Sequence, residues 1–372
     1  MLLYLSAFAF AMALLAIASP PGRTAFLTLS FLPEVLPNAP LRPLTWVTGD
    51  PVRQAVEYSN GAGYADADLY LPSEGRNHGA ILLFLGVNPA GRDDPRVVGL
   101  GNALARSGIV AMIPWSDTMT QKRIDVDEID NLVNAYQFLL EHERVDPERA
   151  GMAGFCVGAS LAMVAAQNDS ISENVRFINF FGGYYRATDL VASATTNTQT
   201  YKGHTQAWTP NELTRAVVAA QLIEGVARQF ERDILTGFFQ GLAIPEEARL
   251  SLSKNARAVH GLLSEPEPVE VSALVSDLHS DTLKSLEMIS PSSRISDLKA
   301  KVFIMHDRQD SLVPSDESRR LADALAPEQI SRYTEFAFFQ HLDPTRPVGK
   351  LTFVKEAAKL YWHLYGVFRE LS

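Results

Sequence analysis

The chain has 372 residues, 47% of them apolar and 20% charged, with a formal net charge of −10. That composition excludes a disordered chain and suits one large α/β domain with an insertion, or two domains. The acidic balance, without a cluster of Lys and Arg, excludes nucleic acid as a partner, and the single cysteine excludes an internal disulfide.

Met1 to Ser19, MLLYLSAFAFAMALLAIAS, carries no charged side chain and is about long enough to cross a bilayer core as a helix. A retained anchor is expected here. A cleaved signal is the alternative, because AIAS offers small residues to a peptidase, although no Lys or Arg precedes the apolar run. The protein is therefore expected at a membrane through this segment (residues 1–22), or exported if it is removed. Residues 23–51 are rich in proline and read as an extended tether rather than regular structure.

The core is expected over 52–189 and 296–372. RQAVEYS and ADADLYLP read as strands joined by a turn at Asn60-Gly61-Ala62-Gly63, and GAILLFLG as a central strand covered on both faces. GNALARSG then reads as a helix and IVAMIPW as the next strand. An amphipathic helix follows over Val126 to Glu143, with Ile129, Leu132, Val133, Tyr136, Leu139 and Leu140 on one face. RAGMAGF, VGASLAMVAAQ and VRFINFFGG continue the series as strand, helix and strand. Such alternation predicts a mostly parallel central sheet with helices on both faces.

The rhythm stops near Arg186. Residues 190–295 show no convincing strand and read as a helical cap insertion. It includes a capping box at Thr209-Pro210-Asn211-Glu212 and one long helix running to GFF. Strands resume with AKVFIMHD and SRYTEFAFF.

The chemistry centres on GMAGFCVGASLAM. A nucleophile on a strand-to-helix turn is lifted out of the sheet and faces a helix N-terminus, and the turn needs small residues two before and two after. Gly154 and Gly158 flank Cys156 in that way. A thiol suits the place, since a helix N-terminus and a nearby histidine favour its nucleophilic form. The competing readings are a packing cysteine and a serine elbow one turn later at Ser160. A base and an orienting acid must complete the set. HDRQDSLVP supplies Asp310, with Asp307 as its rival in the same loop. His341 follows the last strand, giving the order nucleophile, acid, histidine. His306 reads as a loop or structural residue. His78, His142, His204, His260, His279 and His363 fall on surfaces or in the insertion, without metal-ligand spacing. No cofactor is expected, because no phosphate-binding glycine loop is present.

The segments DADLYLP, LFLGVNPAG, VDPERAGMAGFCVGASLA, HDRQDSLVP and FFQHLDP together resemble the α/β-hydrolase superfamily, and the cysteine elbow resembles the dienelactone hydrolase family. The resemblance implies a Cys156–His341–Asp310 triad. It also implies an oxyanion hole from the backbone N–H of Val157 and of Val87 or Asn88, and hydrolysis of a small ester or lactone through a thioester. That family lacks a large cap and an N-terminal apolar segment, so the substrate does not carry over. Two alternatives are a membrane-associated acyltransferase with a cysteine elbow and a non-catalytic, tethered binding module.

Overall fold

The computed structural model describes residues 19–36, 39, 41–61, 63–88 and 90–372. The apolar run over 1–18 lies outside these, as do Ala62 of the expected turn and Pro89 of LFLGVNPAG. Among the described residues no helix is long and apolar enough to cross a membrane.

The tether reading of 23–51 is corrected at its start. Helix α1 spans Pro20–Val35, and a single turn, α2, spans Leu44–Val47. The Ser19 hydroxyl accepts the Gly22 N–H, while Pro20 and Pro21 occupy positions where no N–H is needed. Phe31 and Leu32 of α1 are buried, and the Phe31 ring meets Phe368 at 5.1 Å. Proline content was therefore a poor guide, because proline is compatible with a first turn.

The core elements then follow in chain order as β1 (Val52–Ser59), β2 (Tyr64–Leu71), β3 (His78–Phe84), α3 (Pro95–Arg106), β4 (Val110–Pro114), α4 (Asp117–Thr120), α5 (Asp127–Leu140), β5 (Val145–Phe155), α6 (Val157–Ala165) and β6 (Phe177–Phe181). After the insertion come β9 (Lys301–Asp307), α14 (Ser315–Ala324), β10 (Ile330–Phe336) and α15 (Lys350–Leu371). The eight strands form one sheet in the order β1-β2-β4-β3-β5-β6-β9-β10. Only the β1–β2 and β2–β4 pairs are antiparallel. Side chains alternate between two apolar layers. Leu82, Met112 and Ile304 point to one layer, shared with α5 and α6; Ile81, Ala111 and Phe303 point to the other, shared with α1, α3 and α15. Continuous apolar runs are what such a doubly covered sheet requires.

Between β6 and β9 lie seven α-helices, a hairpin and two short 3-10 turns, Pro291–Ser293 and Ile295–Asp297. The helices and the hairpin strands are α7 (Ala187–Thr196), β7 (Thr198–Tyr201), β8 (His204–Ala207), α8 (Glu212–Glu224), α9 (Gln229–Phe239), α10 (Glu246–Ser251), α11 (Lys254–Leu263), α12 (Pro268–Ser276) and α13 (Ser280–Met288). The hairpin corrects the expectation of no strands, as its Thr- and Gln-rich residues give no apolar run to read. The long helix is broken after Gly225. The cap of α8 is Asn211 rather than Thr209, with the Asn211 side chain accepting the Leu213 N–H at 2.9 Å.

Candidate active site

Cys156 joins β5 to α6 in a backbone conformation unusual for a non-glycine residue, φ 55° and ψ −139°. Its own N–H is taken by the Phe181 carbonyl of the next strand at 2.9 Å. The small residues have direct causes. A Cβ on Gly154 would lie 2.4 Å from Ala159 Cα, and one on Gly158 would lie 2.4 Å from the Gly86 nitrogen. Three backbone segments therefore meet at the elbow. Val157 opens α6, so its N–H has no acceptor within the helix and is free to face a developing negative charge.

Ser160, the alternative nucleophile, is fully buried inside α6. Its hydroxyl donates to the Tyr184 carbonyl at 2.8 Å and accepts the Tyr184 N–H at 2.9 Å. It fastens the helix to the loop after β6 and has no route to a substrate.

The loop after β9 brings Asp310 beside the loop after β10, which carries His341. Asp310 Oδ2 lies 2.5 Å from His341 Nδ1, and Asp310 Oδ1 accepts the N–H groups of Leu312 at 2.7 Å and Val313 at 3.1 Å. With its Nδ1 proton on the carboxylate, His341 presents Nε2, which is buried and makes no hydrogen bond to the protein. Burial opposes charge on this imidazole. The carboxylate of Asp310, with a further contribution from the Cys156 side chain, outweighs that and holds its pKa well above the usual histidine range. Burial would likewise raise Asp310, but His341, His306 and the Leu312 N–H keep it below the usual carboxylate range.

Asp307 has a different part. Its Oδ2 accepts the backbone N–H of His341 at 3.2 Å, and Arg346 grips both of its oxygens at 2.7 and 2.8 Å. It places the histidine loop, while Asp310 orients the ring. His306 is structural, as expected. Its Nε2 lies 3.0 Å from the Val313 carbonyl, which can only accept, so Nδ1 accepts from Ser318 at 2.5 Å. His363 is corrected: it is fully buried between Thr334 and Asn179 on the inner face of α15.

The turn carrying Val87 and Asn88 begins at Gly86, φ +73°, packed against Gly158. Its far end is held by a carboxylate the sequence reading missed. Asp68 accepts from Arg92 at 2.8 Å, Arg53 at 2.7 Å and the Trp115 indole at 2.9 Å. The signal was present in DADLYLP, where a buried aspartate interrupts an apolar strand. Trp208 of the insertion, also missed, hydrogen-bonds the Asp310 carbonyl. Among the described residues, no group of three or more His, Cys, Asp or Glu could hold a metal ion. A cavity of about 390 Å³ lies between the insertion and the core, lined by Arg123, Glu224, Arg232 and His279, and not by Cys156, Asp310 or His341.

Residues 108–225 match the model of the Dienelactone hydrolase family. No curated protein matches. Among solved structures the chain is similar to an acylaminoacyl peptidase of Pyrococcus horikoshii, with 12% identity and a TM-score of 0.49, covering 87% of this chain and 41% of that one. It is also similar to a hyperthermophilic esterase of Pyrobaculum calidifontis (12%, 0.46, 91% of each chain) and to a 2,6-dihydroxy-pseudo-oxynicotine hydrolase (14%, 0.49, 85% and 68%). The chain spans 39% to 41% of the length of the peptidases it matches.

Proposed function

We propose that this α/β-hydrolase, of the dienelactone hydrolase family over residues 108–225, cleaves a carboxylic ester or lactone with Cys156 as nucleophile. The observation that carries the reading is the line from Asp310 Oδ2 through the His341 ring to a buried Nε2, on a ring whose charge the Cys156 side chain also favours.

In the reaction, His341 Nε2 takes the thiol proton and the sulfur adds to the substrate carbonyl carbon. The carbonyl oxygen becomes an oxyanion, facing the N–H groups of Val157 and of the Val87–Asn88 turn; each such donor lowers a barrier by about 3 kcal/mol. Collapse breaks the ester C–O bond, and the leaving alkoxide takes the proton from Nε2. Water then attacks the thioester, giving its proton to His341, and the acid leaves as the Cys156 thiol reforms.

The test uses the full chain with a panel of activated esters and lactones. Hydrolysis lost in Cys156→Ala and His341→Ala, with a thioester on Cys156 detected by mass spectrometry, supports the reading. Equal hydrolysis by wild type and Cys156→Ala overturns it. Transfer to an added alcohol in preference to water would assign an acyltransferase instead.

A further inference from the structure

Away from the triad, α1 and the segment after it present an apolar surface. Residues 20–49 contain only three charged side chains, Arg23, Glu34 and Arg42. Phe26, Leu29, Leu41, Trp46 and Val47 are exposed there, Trp46 at 68%. Helix α1 lies across α15, with Thr24 Oγ1 3.2 Å from Ser372 Oγ and the Tyr361 hydroxyl 3.5 Å from the Ala25 carbonyl. Beside that crossing, Tyr361, Trp362 and Tyr365 form a ring cluster with centroids 5.2 to 6.3 Å apart, and Trp362 is 53% exposed.

We propose that this face, made by α1, residues 41–47 and the Tyr361–Trp362–Tyr365 cluster, rests in the interface of a phospholipid bilayer whose core takes up residues 1–18. The argument is one of reach. No charged side chain occurs before Arg23, and Ser19 is already the cap of α1. A chain advances at most about 3.6 Å per residue, so no linker separates residues 1–18 from α1. A bilayer that holds residues 1–18 must lie against α1, and the surface it meets carries the residue types that favour the headgroup region. Trp and Tyr place an apolar ring and a polar edge at that depth. A second copy of the chain is the rival occupant. The proposal does not depend on the role of Cys156.

The four tryptophans, Trp46, Trp115, Trp208 and Trp362, provide the test. Full-length protein is mixed with phosphatidylcholine vesicles whose acyl chains are plain or dibrominated. The expected result is co-flotation with the vesicles and bromine quenching of two of the four tryptophans, lost in the Trp46→Phe/Trp362→Phe double variant while flotation persists. Both positions are exposed, so the variant keeps the fold, which circular dichroism checks. Failure to float overturns the proposal. So does flotation with quenching absent, or quenching unchanged in the double variant. Dimers cross-linked through this face in vesicle-bound protein also overturn it and assign the second copy.

Discussion

The Trp208 indole N–H donates to the backbone carbonyl of Asp310 across 2.6 Å. It is the first of three such bonds in register. The Asn211 N–H donates to the Ser311 carbonyl at 2.7 Å, and the Thr214 hydroxyl to the Leu312 carbonyl at 2.8 Å. Three consecutive carbonyls of the loop that carries Asp310 are thus satisfied by the insertion. Around 208–214 the insertion is a wall of the site rather than a detachable cover, and the placement of Asp310 depends on it.

Trp208→Phe therefore keeps the apolar bulk and leaves the Asp310 carbonyl without its donor. An unsatisfied buried acceptor costs about 1–3 kcal/mol. Ester turnover is expected to fall about tenfold in kcat with little change in KM, measured by steady-state kinetics beside a melting curve. Unchanged kcat would remove the insertion from the positioning of the acid.

Two neighbouring aspartates should separate cleanly. Asp310→Asn can no longer stabilise the imidazolium of His341, and kcat should fall by roughly 10³ to 10⁴. Asp307→Asn loosens Arg346 and the His341 N–H instead. Its main effect should be a lower melting temperature, reflecting about 1.5–3 kcal/mol per lost charged hydrogen bond. The reverse ranking of the two activities would exchange the roles of the two residues.

Gly86→Ala tests the turn opposite the elbow. Its φ of +73° is strained for any L side chain, and the added Cβ would sit 2.7 Å from the Gly158 nitrogen and 2.9 Å from the Phe155 carbonyl oxygen. The turn must move, carrying Val87 and Asn88 with it. A loss of kcat of about 10² or more, with Cys156 alkylation by iodoacetamide retained, is the expected pattern.

Glu317 provides a pH signature. It lies fully buried at the start of α14, with Oε2 accepting the N–H groups of Tyr185 and Arg186 at 3.0 and 3.1 Å and Oε1 facing Arg320 at 2.8 Å. Burial, reinforced by Asp189, raises its pKa to about 7. The folded state thus holds a proton that the unfolded chain has released. Stability should fall as pH rises from about 4.5 to 7, by ~3 kcal/mol at most. Glu317→Gln keeps an acceptor for both N–H groups and removes the titration. Urea midpoints measured from pH 5 to 8 should be flatter than for wild type.

The central sheet was legible because its signal is local: β3, β4, β5, β6 and β9 are apolar runs, and α5 shows its buried face at helical spacing. Helix α1 was misread, because proline at a first turn and proline in a tether look alike until Phe31 has Phe368 to pack on. The hairpin at 198–207 was invisible for want of apolar alternation. Within the site, Gly154 and Gly158 flanking Cys156 were readable from spacing alone.

By itself, then, the sequence determined the alternating sheet, the small residues that a tight elbow demands, and the chain order of cysteine, aspartate and histidine. Tertiary structure alone decided between Asp307 and Asp310. The two lie three residues apart, Asp307 at the end of β9 and Asp310 in the loop after it, and are equal as residue types; what separates them is which part of His341 each one meets, the backbone or the ring. It also decided that Trp208 and Asp68 brace the loops around the elbow. Periodicity records which side of an element is buried, whereas the partner of a hydrogen bond is set by chain segments a hundred residues or more away, and no local pattern encodes that.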